Sequence, residues 1–418
     1  MRLTFYEKNL AKSHLREYNI KLCRKVIFKE RIGEAFLMYG EIIAAHTRGR
    51  GLAFIKKNAV MFIALAAAVI TSVIVPPDAA YAGYFDYKTL TCLFCVLAVV
   101  CALRNINFFY ILALRLVRRF KNARLCILAL VYITLIGSML IANDMALITF
   151  LPLGYFVLEA TGGNKYMAFT FIMQNIAANL GGMLTPFGNP QNLYIYTKYN
   201  IDSLEFMRIM APPFLASIIL ITLCCVIFIK PEKFTIKSGD MKFDRRRAAA
   251  YLALFALAIL IVFRGIPYLL GLIIIVAALM FLDRKALSDV DYGLLFTFVF
   301  FFIFAGNMAR IDAVREFFSF MLEKNAMIFS ALSCQVISNV PTAILLSQFT
   351  NDYAELLWGV NIGGAGTLIA SLASLITFRE YVSRNRGKTA AYIGLFSALN
   401  FGFLIVLLLF MTFIKTLI

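Results

Sequence analysis

Polar residues that could bind ions recur in two apolar stretches of this 418-residue chain, at a constant offset of 182 residues. The first stretch spans residues 179–192 and the second spans residues 361–374. The matching residues are Asn179 and Asn361, Gly181 and Gly363, Gly182 and Gly364, Thr185 and Thr367, Asn189 and Ser371, and Asn192 and Ser374. Helix-breaking and polar residues are tolerated in hydrocarbon only where the freed backbone lines a cavity or is buried in protein. Interrupted segments at matching places in two halves indicate the binding site of a secondary transporter.

Composition places these stretches in a membrane. Hydrophobic residues make up 61% of the chain, charged residues make up 15%, and the mean hydropathy is +0.82. A soluble chain of this length is far less apolar, so we predict an all-α polytopic membrane protein. The net charge of +18 comes from basic residues in short segments between apolar runs. The positive-inside rule explains that distribution, and we expect no nucleic-acid partner.

Histidine and cysteine positions exclude several kinds of enzyme. Both histidines, His14 and His46, precede the first apolar run, so neither is available for catalysis or metal binding within the membrane. Cys92 and Cys95 form a C-x-x-C pair, but no second pair or nearby histidine completes a zinc site. We therefore predict that the chain is not an enzyme, has no catalytic residues, and uses no cofactor other than Na⁺ or H⁺ as a coupling ion.

Basic connecting segments give a topology for the first half. Residues 1–57 are basic and lack a spanning run, so we expect a cytoplasmic N-terminal segment. Residues 58–229 form the predicted first membrane half, in which residues 125–158 are read as a re-entrant hairpin and residues 166–200 as a broken helix. Residues 230–247 carry the basic cluster of a cytoplasmic linker.

The second half, residues 248–418, repeats this order with opposite orientation. Its predicted hairpin covers residues 326–349 and its predicted broken helix covers residues 356–378. The same threading places the C-terminus outside a multi-pass plasma-membrane protein. Opposed hairpins and broken helices that meet at mid-membrane are the geometry of two inverted-topology repeats.

The hairpin tips and the helix breaks together predict two matched polar clusters for substrate and ion binding. The first cluster comprises Asn143, Asp144, Thr185, Pro186, Gly188, Asn189 and Asn192, and the second comprises Ser338, Asn339, Thr367, Ser371 and Ser374. Within them we predict one Na⁺ site at Asn143, Asp144 and Asn189, and another at Ser338, Asn339 and Ser371. Because no Lys or Arg is predicted at mid-membrane, an anion would be held by helix dipoles, neutral donors and a co-bound cation.

The four motifs resemble those of the ion transporter superfamily, which includes divalent anion/sodium symporters, citrate transporters, arsenite permeases and a sodium/proton antiporter branch. Residues 142–152 and 179–192 are similar to its first hairpin and broken helix, and residues 338–341 and 361–374 to the second pair. The resemblance covers residues 58–414 and implies inverted repeats, a homodimer and elevator-type transport of a small anion.

The hairpin tips indicate which branch of that superfamily the chain resembles. They read Ala142-Asn143-Asp144 and Ser338-Asn339-Val340, whereas dicarboxylate symporters usually show Ser-Asn-Thr at both tips. The Asn-Asp tip is similar to those of the citrate-transporter-like and arsenite-permease branches, of which the citrate-transporter-like anion permeases are the closest. The leading prediction is a citrate-like, dicarboxylate-like or inorganic anion as substrate, coupled to Na⁺ or H⁺. The alternatives are an arsenite or metalloid-oxyanion permease and a Na⁺/H⁺ antiporter.

Two alternatives belong to protein classes other than transporters, namely an ion channel and a membrane enzyme. A channel needs a continuous pore, and two symmetric dead-end hairpins argue against one. A membrane enzyme is disfavoured by the histidine positions and by the lack of a second intramembrane Asp in a comparable motif.

Overall fold

A computed structural model of the chain describes residues 58–234, 244–385 and 387–417. The predicted cytoplasmic N-terminal segment and residues 235–243 of the predicted linker lie outside these ranges. Within the described ranges, contacts group the residues from Ile63 onward into one compact unit. Throughout the described ranges the regular elements are helices, with a single isolated bridge between Asn122 and Lys233.

The first half of the chain contains eight α-helices within the described residues. They are α1 (Ala59–Ile74), α2 (Tyr87–Asn105), α3 (Phe108–Val117), α4 (Ala123–Ile141), α5 (Asn143–Ala160), α6 (Met167–Gly181), α7 (Pro190–Lys198) and α8 (Ser203–Phe228). Acidic and amide side chains begin several of them. Asp86 accepts a hydrogen bond from Thr89 N at 2.9 Å, and Asp202 accepts one from Leu204 N at 2.8 Å.

The second half contains nine α-helices within the described residues. They are α9 (Arg245–Val262), α10 (Tyr268–Leu282), α11 (Arg284–Ser288), α12 (Tyr292–Ala309), α13 (Asp312–Ile337), α14 (Asn339–Leu346), α15 (Tyr353–Ile362), α16 (Leu372–Arg384) and α17 (Thr389–Leu417). Helix α13 is kinked at Asn325, where the backbone is not helical (φ −166°, ψ 95°). The kink separates a polar first segment from the apolar first leg of the predicted second hairpin.

Five helices of the described residues, α2, α4, α8, α12 and α17, are long and apolar enough to cross a membrane. Helices α1, α3 and α10 are apolar but shorter. This confirms the prediction of an all-helical, multi-pass membrane protein. The predicted hairpins fall on α4 with α5 and on the second part of α13 with α14. The predicted broken helices fall on α6 with α7 and on α15 with α16.

Both hairpin tips have the same strained backbone. Ala142, between α4 and α5, has φ 67° and ψ 152°, and Ser338, between α13 and α14, has φ 73° and ψ 158°. This region is almost confined to glycine, and other residues occupy it at a cost of about 1–3 kcal/mol. The surrounding contacts must therefore impose this conformation at both tips.

The threonine of each break makes an equivalent hydrogen bond to the first leg of its hairpin. Thr185 Oγ1 donates to Met139 O at 2.7 Å, and Thr367 Oγ1 donates to Gln335 O at 3.0 Å. Met139 and Gln335 are separated by 196 residues, as are the two tip residues. The internal repeat of the sequence therefore extends to individual contacts.

The glycine pairs allow the same close packing in each half. A Cβ atom on Gly181 would lie 2.5 Å from Leu135 O, and one on Gly363 would lie 2.8 Å from Ala331 Cα. Leu135 and Ala331 are again 196 residues apart. A side chain at either glycine would push its broken helix away from the first leg of the hairpin, so glycine is required at both positions.

The two halves are interleaved. Helix α7 packs against α14 of the other half, and α16 packs against α5. In the first of these contacts, the hydroxyls of Tyr194 and Ser347 are hydrogen-bonded at 2.9 Å, and Tyr199 Oη donates to Thr350 O at 2.6 Å. Each hairpin is thus held partly by the broken helix of the other half.

Polar contacts that join distant helix ends fall into two sets. The first set pairs Arg310 with Asp78, Tyr353 with Glu205, Arg264 with Asn200, and Lys415 with Glu355. The second set pairs Asn105 with Asp283, Lys165 with Glu232, and Asn385 with Met167. The charge pattern of the sequence assigns all of the first set to the outer side and all of the second set to the cytoplasmic side. The sides on which the two sets lie stay a prediction.

Candidate functional site

The centre of the molecule is formed by the two helix breaks. In the first half, α6 ends at Gly181, a 3₁₀ turn covers Gly182–Leu184, and α7 begins at Pro190. In the second half, α15 ends at Ile362 and α16 begins after Ser371, whose Oγ accepts a hydrogen bond from Ala373 N at 3.2 Å. Glycines end the first segments, and proline or serine begins the second segments.

The breaks are joined across the halves by a reciprocal pair of hydrogen bonds. Asn189 Nδ2 donates to Asn361 Oδ1 at 3.2 Å, and Ser371 Oγ donates to Asn179 Oδ1 at 2.8 Å. Asn189 corresponds to Ser371 in the repeat, and Asn179 corresponds to Asn361. The donors Asn189 and Ser371 therefore occupy equivalent positions in the two breaks, and so do the acceptors Asn361 and Asn179. All four residues are at most 2% exposed, so these bonds are shielded from solvent.

Both hairpin tips reach this centre. Asn143 Nδ2 donates to Asn179 Oδ1 at 3.2 Å, so the first tip contacts the acceptor that also binds Ser371. At the second tip, Asn339 N and Ser338 Oγ both donate to Ala370 O, at 3.0 and 3.3 Å. The members of each predicted Na⁺ site are thus brought close to one another or to a shared neighbour.

Asn192 connects the first break to the second half. Its Nδ2 lies within hydrogen-bond distance of three main-chain carbonyls, Gly182 O at 3.2 Å, Met183 O at 3.2 Å and Thr185 O at 3.4 Å. Its Oδ1 accepts from Asn361 Nδ2 at 2.6 Å. Asn192 therefore satisfies carbonyls that the break leaves without a helical donor.

The amide network continues along α6 to the last helix. Asn175 Nδ2 lies 3.3 Å from Ser374 Oγ and 3.5 Å from Asn400 Oδ1, and Asn179 Nδ2 lies 3.5 Å from Asn175 Oδ1. Asn400 in turn donates to Phe396 O at 2.9 Å. The predicted residue Ser374 therefore belongs to the same buried network as the two breaks.

The remaining predicted residues have distinct environments. Asp144 lies in the first turn of α5, and its Oδ1 is buried without a hydrogen-bond partner in the described part of the chain. Pro186 is buried in the turn of the first break. A Cβ atom on Gly188 would collide with Gly182 O, so this glycine closes that turn. The hydroxyls of Thr185 and Thr367 both donate to the hairpins.

Several residues of the cluster were absent from the predicted site. Asn179 and Asn361 begin the two repeated motifs, and that position was the available signal for them. Gln191 lies within Asn189-Pro190-Gln191-Asn192, and its counterpart in the second half is Ala373, so the repeat gave no indication of it. Asn175 lies one helical turn before Asn179, whereas nothing in the sequence connects Asn400 with this centre.

The cluster can bind ligands through neutral polar groups. The side chains that the described residues contribute to it are amides and hydroxyls, with the Asp144 carboxylate at one tip and no Lys or Arg among them. Such groups can coordinate a dehydrated cation through oxygen or hydrogen-bond a polar solute. They offer no side-chain positive charge to an anion.

Comparison with known proteins finds similar sequences among membrane transporters. The sequence model described as citrate transporter (CitMHS) matches residues 42–358. An uncharacterized transporter of Methanocaldococcus jannaschii is 35% identical over 296 residues, which cover 70% of this chain and 81% of the relative. The inner membrane protein YbiR of Escherichia coli is 29% identical, over 70% of this chain and 80% of its own length. The silicon efflux transporter LSI3 of Oryza sativa subsp. japonica is 32% identical over 144 residues, which cover 34% of this chain and 29% of LSI3.

Proposed function

Because the chain belongs to the citrate transporter family, a family of membrane transporters, we propose that it is a secondary active transporter for a small anion. The substrate would be a citrate-like, dicarboxylate-like or inorganic anion, and the driving ion would be Na⁺ or H⁺. The observation that carries this proposal is the reciprocal hydrogen-bonded pair at the two helix breaks. A buried polar centre built equally from two halves matches the midplane site of secondary transporters.

The coupling ion would bind at the hairpin tips. Na⁺ at Asn143, Asp144 and Asn189, and at Ser338, Asn339 and Ser371, would supply the positive charge that the amides and hydroxyls lack. The Asp144 carboxylate alternatively offers a proton-binding group, because its Oδ1 is buried without a partner in the described residues. In either case the ion drives transport only if its affinity differs between the conformations of the carrier.

Movement of the site as a unit is the mechanism that we propose. The cross-half bonds of Asn189 and Ser371, together with the tip bond of Asn143, tie the hairpins and breaks into one assembly. An elevator-type displacement of this assembly against the remaining helices would expose it to either side without breaking its internal bonds. The inverted relation of the halves, the re-entrant character of the hairpins, the cytoplasmic N-terminus and the homodimer belong to this proposal.

A second candidate substrate is a metalloid oxyanion or hydroxide such as arsenite. Two observations support it, the Asn143-Asp144 tip and the local similarity to a silicon efflux transporter. The absence of Lys and Arg from the described cluster also suits a solute of little or no charge. A Na⁺/H⁺ antiporter is the remaining alternative within this fold.

Flux measurements on purified protein in liposomes test the proposal. Citrate, succinate, sulfate, arsenite and silicic acid would be presented with an imposed Na⁺ gradient, an imposed pH gradient, or neither. We expect gradient-driven accumulation of at least one of them and none in empty liposomes. A parallel thermal-shift screen with and without Na⁺ identifies ligands independently of movement, because a ligand stabilises the folded state by mass action. Single-channel currents in planar bilayers would instead indicate a channel.

A further inference from the structure

The amide groups at the first break can be oriented by their neighbours. Main-chain carbonyls only accept hydrogen bonds, so the three carbonyls near Asn192 identify the donating end of that side chain as Nδ2. Its Oδ1 must then accept from Asn361 Nδ2, which also donates to Leu357 O at 2.9 Å. Asn361 Oδ1 is consequently an acceptor.

Two side chains donate to that acceptor. Asn189 Nδ2 and Gln191 Nε2 lie 3.2 and 3.3 Å from Asn361 Oδ1, and Asn189 Nδ2 also donates to Asn179 O at 3.2 Å. The oxygens at the other ends of these amides, Asn189 Oδ1 and Gln191 Oε1, are buried and have no hydrogen-bond partner in the described part of the chain. Both residues are 1% exposed. A buried unsatisfied acceptor costs about 1–3 kcal/mol in general, so a donor from a ligand would stabilise either oxygen.

This acceptor pair has no equivalent in the second half. Ser371, the counterpart of Asn189, both donates to Asn179 Oδ1 and accepts from Ala373 N, and Ala373 replaces Gln191. Features shared by both halves produce two equivalent sites, as expected for coupling ions. A feature found in one half produces a single site, as expected for one transported molecule.

We infer that Asn189 Oδ1 and Gln191 Oε1 bind hydroxyl groups of the transported solute, and that Gln191 is a specificity-determining residue. This inference rests on the proposed transport function and defines its substrate class. A hydroxyl group needs one acceptor for each proton it donates, whereas hard cations such as Ca²⁺ take about six to eight oxygen ligands. Two neutral oxygens are too few to hold a cation by themselves, so Gln191 Oε1 suits a hydroxyl donor, and Asn189 Oδ1 can accept from that solute while it also contributes to the Na⁺ site proposed at the first tip. A solute without a hydroxyl leaves both oxygens unsatisfied.

Matched pairs of solutes test this inference. Citrate and tricarballylate differ by one hydroxyl group, as do malate and succinate. A third comparison sets arsenous and silicic acids, which carry metalloid hydroxyl groups, against sulfate. Affinities would be measured by thermal shift on the purified full-length protein and by competition for flux in liposomes. We expect wild-type protein to bind the hydroxylated member of at least one comparison roughly tenfold or more tightly, because a site built around a hydroxyl rejects analogues that lack it.

Substitution at Gln191 assigns that preference to the residue. Gln191→Met keeps the length of the side chain without its acceptor, and Gln191→Ala is a second variant in case methionine disturbs packing. We expect both to reduce the preference for the hydroxyl to about twofold or less. Gln348→Ala, at an exposed position just after α14, should retain the preference. The thermal transition of each unliganded variant shows that it is folded.

Several outcomes would overturn the inference. The first two are equal affinity for both members of every comparison and no stabilisation by any hydroxylated solute. The other two concern Gln191: an unchanged preference for the hydroxyl in a folded Gln191 variant, or stabilisation by Na⁺ alone that is lost in Gln191→Met. Flux of a solute without preference for the hydroxyl would reject the inference and leave transport standing. Preference in binding without any flux would reject the proposed transport instead.

Discussion

At the scale of single residues, the ligands that the site can bind depend on which atoms of its polar side chains already form hydrogen bonds within the protein. Asn179 Oδ1 accepts from both Asn143 and Ser371, so this one amide oxygen joins a hairpin tip of the first half to the break of the second. Asn361 Oδ1 likewise accepts two bonds, but both come from the first break, from Asn189 and Gln191. When the NH₂ group of an amide side chain is already hydrogen-bonded within the protein, its oxygen is left for a ligand. The residue type alone does not show which of the two groups is left.

The reciprocal donors should both be essential for transport. Asn189→Ala and Ser371→Ala each remove one cross-half bond, and we expect each to lower the uptake rate roughly 5- to 150-fold, the equivalent of about 1–3 kcal/mol. Uptake by purified variants in liposomes measures this effect. Thr170→Val is the control, because the Thr170 hydroxyl is buried in α6 without a hydrogen-bond partner in the described residues. Normal uptake by either alanine variant would show that the bond is dispensable.

Asp144 should carry ion coupling. Asp144→Asn preserves the size of the side chain but removes its charge, so the affinity of the driving ion should no longer differ between conformations. We expect counterflow exchange of substrate to persist while accumulation against a gradient is lost. Comparison of these two assays in liposomes at several Na⁺ concentrations and pH values measures the change. A variant that accumulates substrate with wild-type ion dependence would leave Asp144 as a hairpin cap only.

At the scale of helices, prolines and glycines leave backbone groups that other elements must satisfy. Pro213 in α8 lacks the N–H that would bond to Ile209 O. Trp358 of α15, the only tryptophan in the sequence, donates its indole N–H to that carbonyl at 2.7 Å. The indole thus connects the broken helix of the second half to a helix of the first.

Trp358→Phe should therefore destabilise the protein. It leaves Ile209 O without a donor in an apolar environment, and we expect a loss of about 1–3 kcal/mol in the free energy of unfolding. Pro213→Ala supplies a helical N–H to the same carbonyl, so the loss caused by Trp358→Phe should be smaller in that background. Denaturant unfolding in detergent of the four proteins of this cycle measures both effects. Equal losses in the two backgrounds would assign the effect to lost packing of the indole.

At the scale of the whole molecule, two features organise the chain. The halves repeat the same contacts at equivalent positions, and polar contacts between helix ends separate into two sets. Helices α7 and α16 each pack against a hairpin helix of the other half, so neither half forms the central cluster alone. The arrangement predicts that the two sets lie on opposite sides of the membrane.

Cysteine labelling tests that sidedness. Lys165 belongs to the predicted cytoplasmic set, and Arg315 lies in the first segment of α13, shortly after Arg310 of the predicted outer set. Their side chains are 59% and 56% exposed. Cys23, in the predicted cytoplasmic N-terminal segment, is first replaced by serine so that it does not react with the label. In this background, we expect a membrane-impermeant maleimide to label Arg315→Cys in intact cells and Lys165→Cys only after permeabilisation. The reverse pattern would invert the proposed orientation. Labelling of both from the same side would contradict the inverted-repeat topology.

The sequence by itself determined the class of the molecule and the places where its helices break. Composition and apolar runs identified a polytopic helical membrane protein, because burial in lipid imposes helices and about 20 apolar residues per span. The offset of 182 residues located both breaks, because glycine, proline and amides interrupt a membrane helix only where protein surrounds them. These signals are local in the chain, so they can be read without contacts.

Only the tertiary structure decided how the polar residues are connected. The pairs Asn189 with Asn361 and Ser371 with Asn179 are separated by 172 and 192 residues. Nothing local in the chain specifies such pairs. Gln191, Asn175 and Asn400 were missed because an isolated amide in an apolar helix has no partner until the helices pack. Among the described residues, the acceptors at Asn189 and Gln191 are left without a partner only after every competing hydrogen bond is in place. Residue types alone therefore indicated an anion site, whereas packing identified hydrogen-bond acceptors.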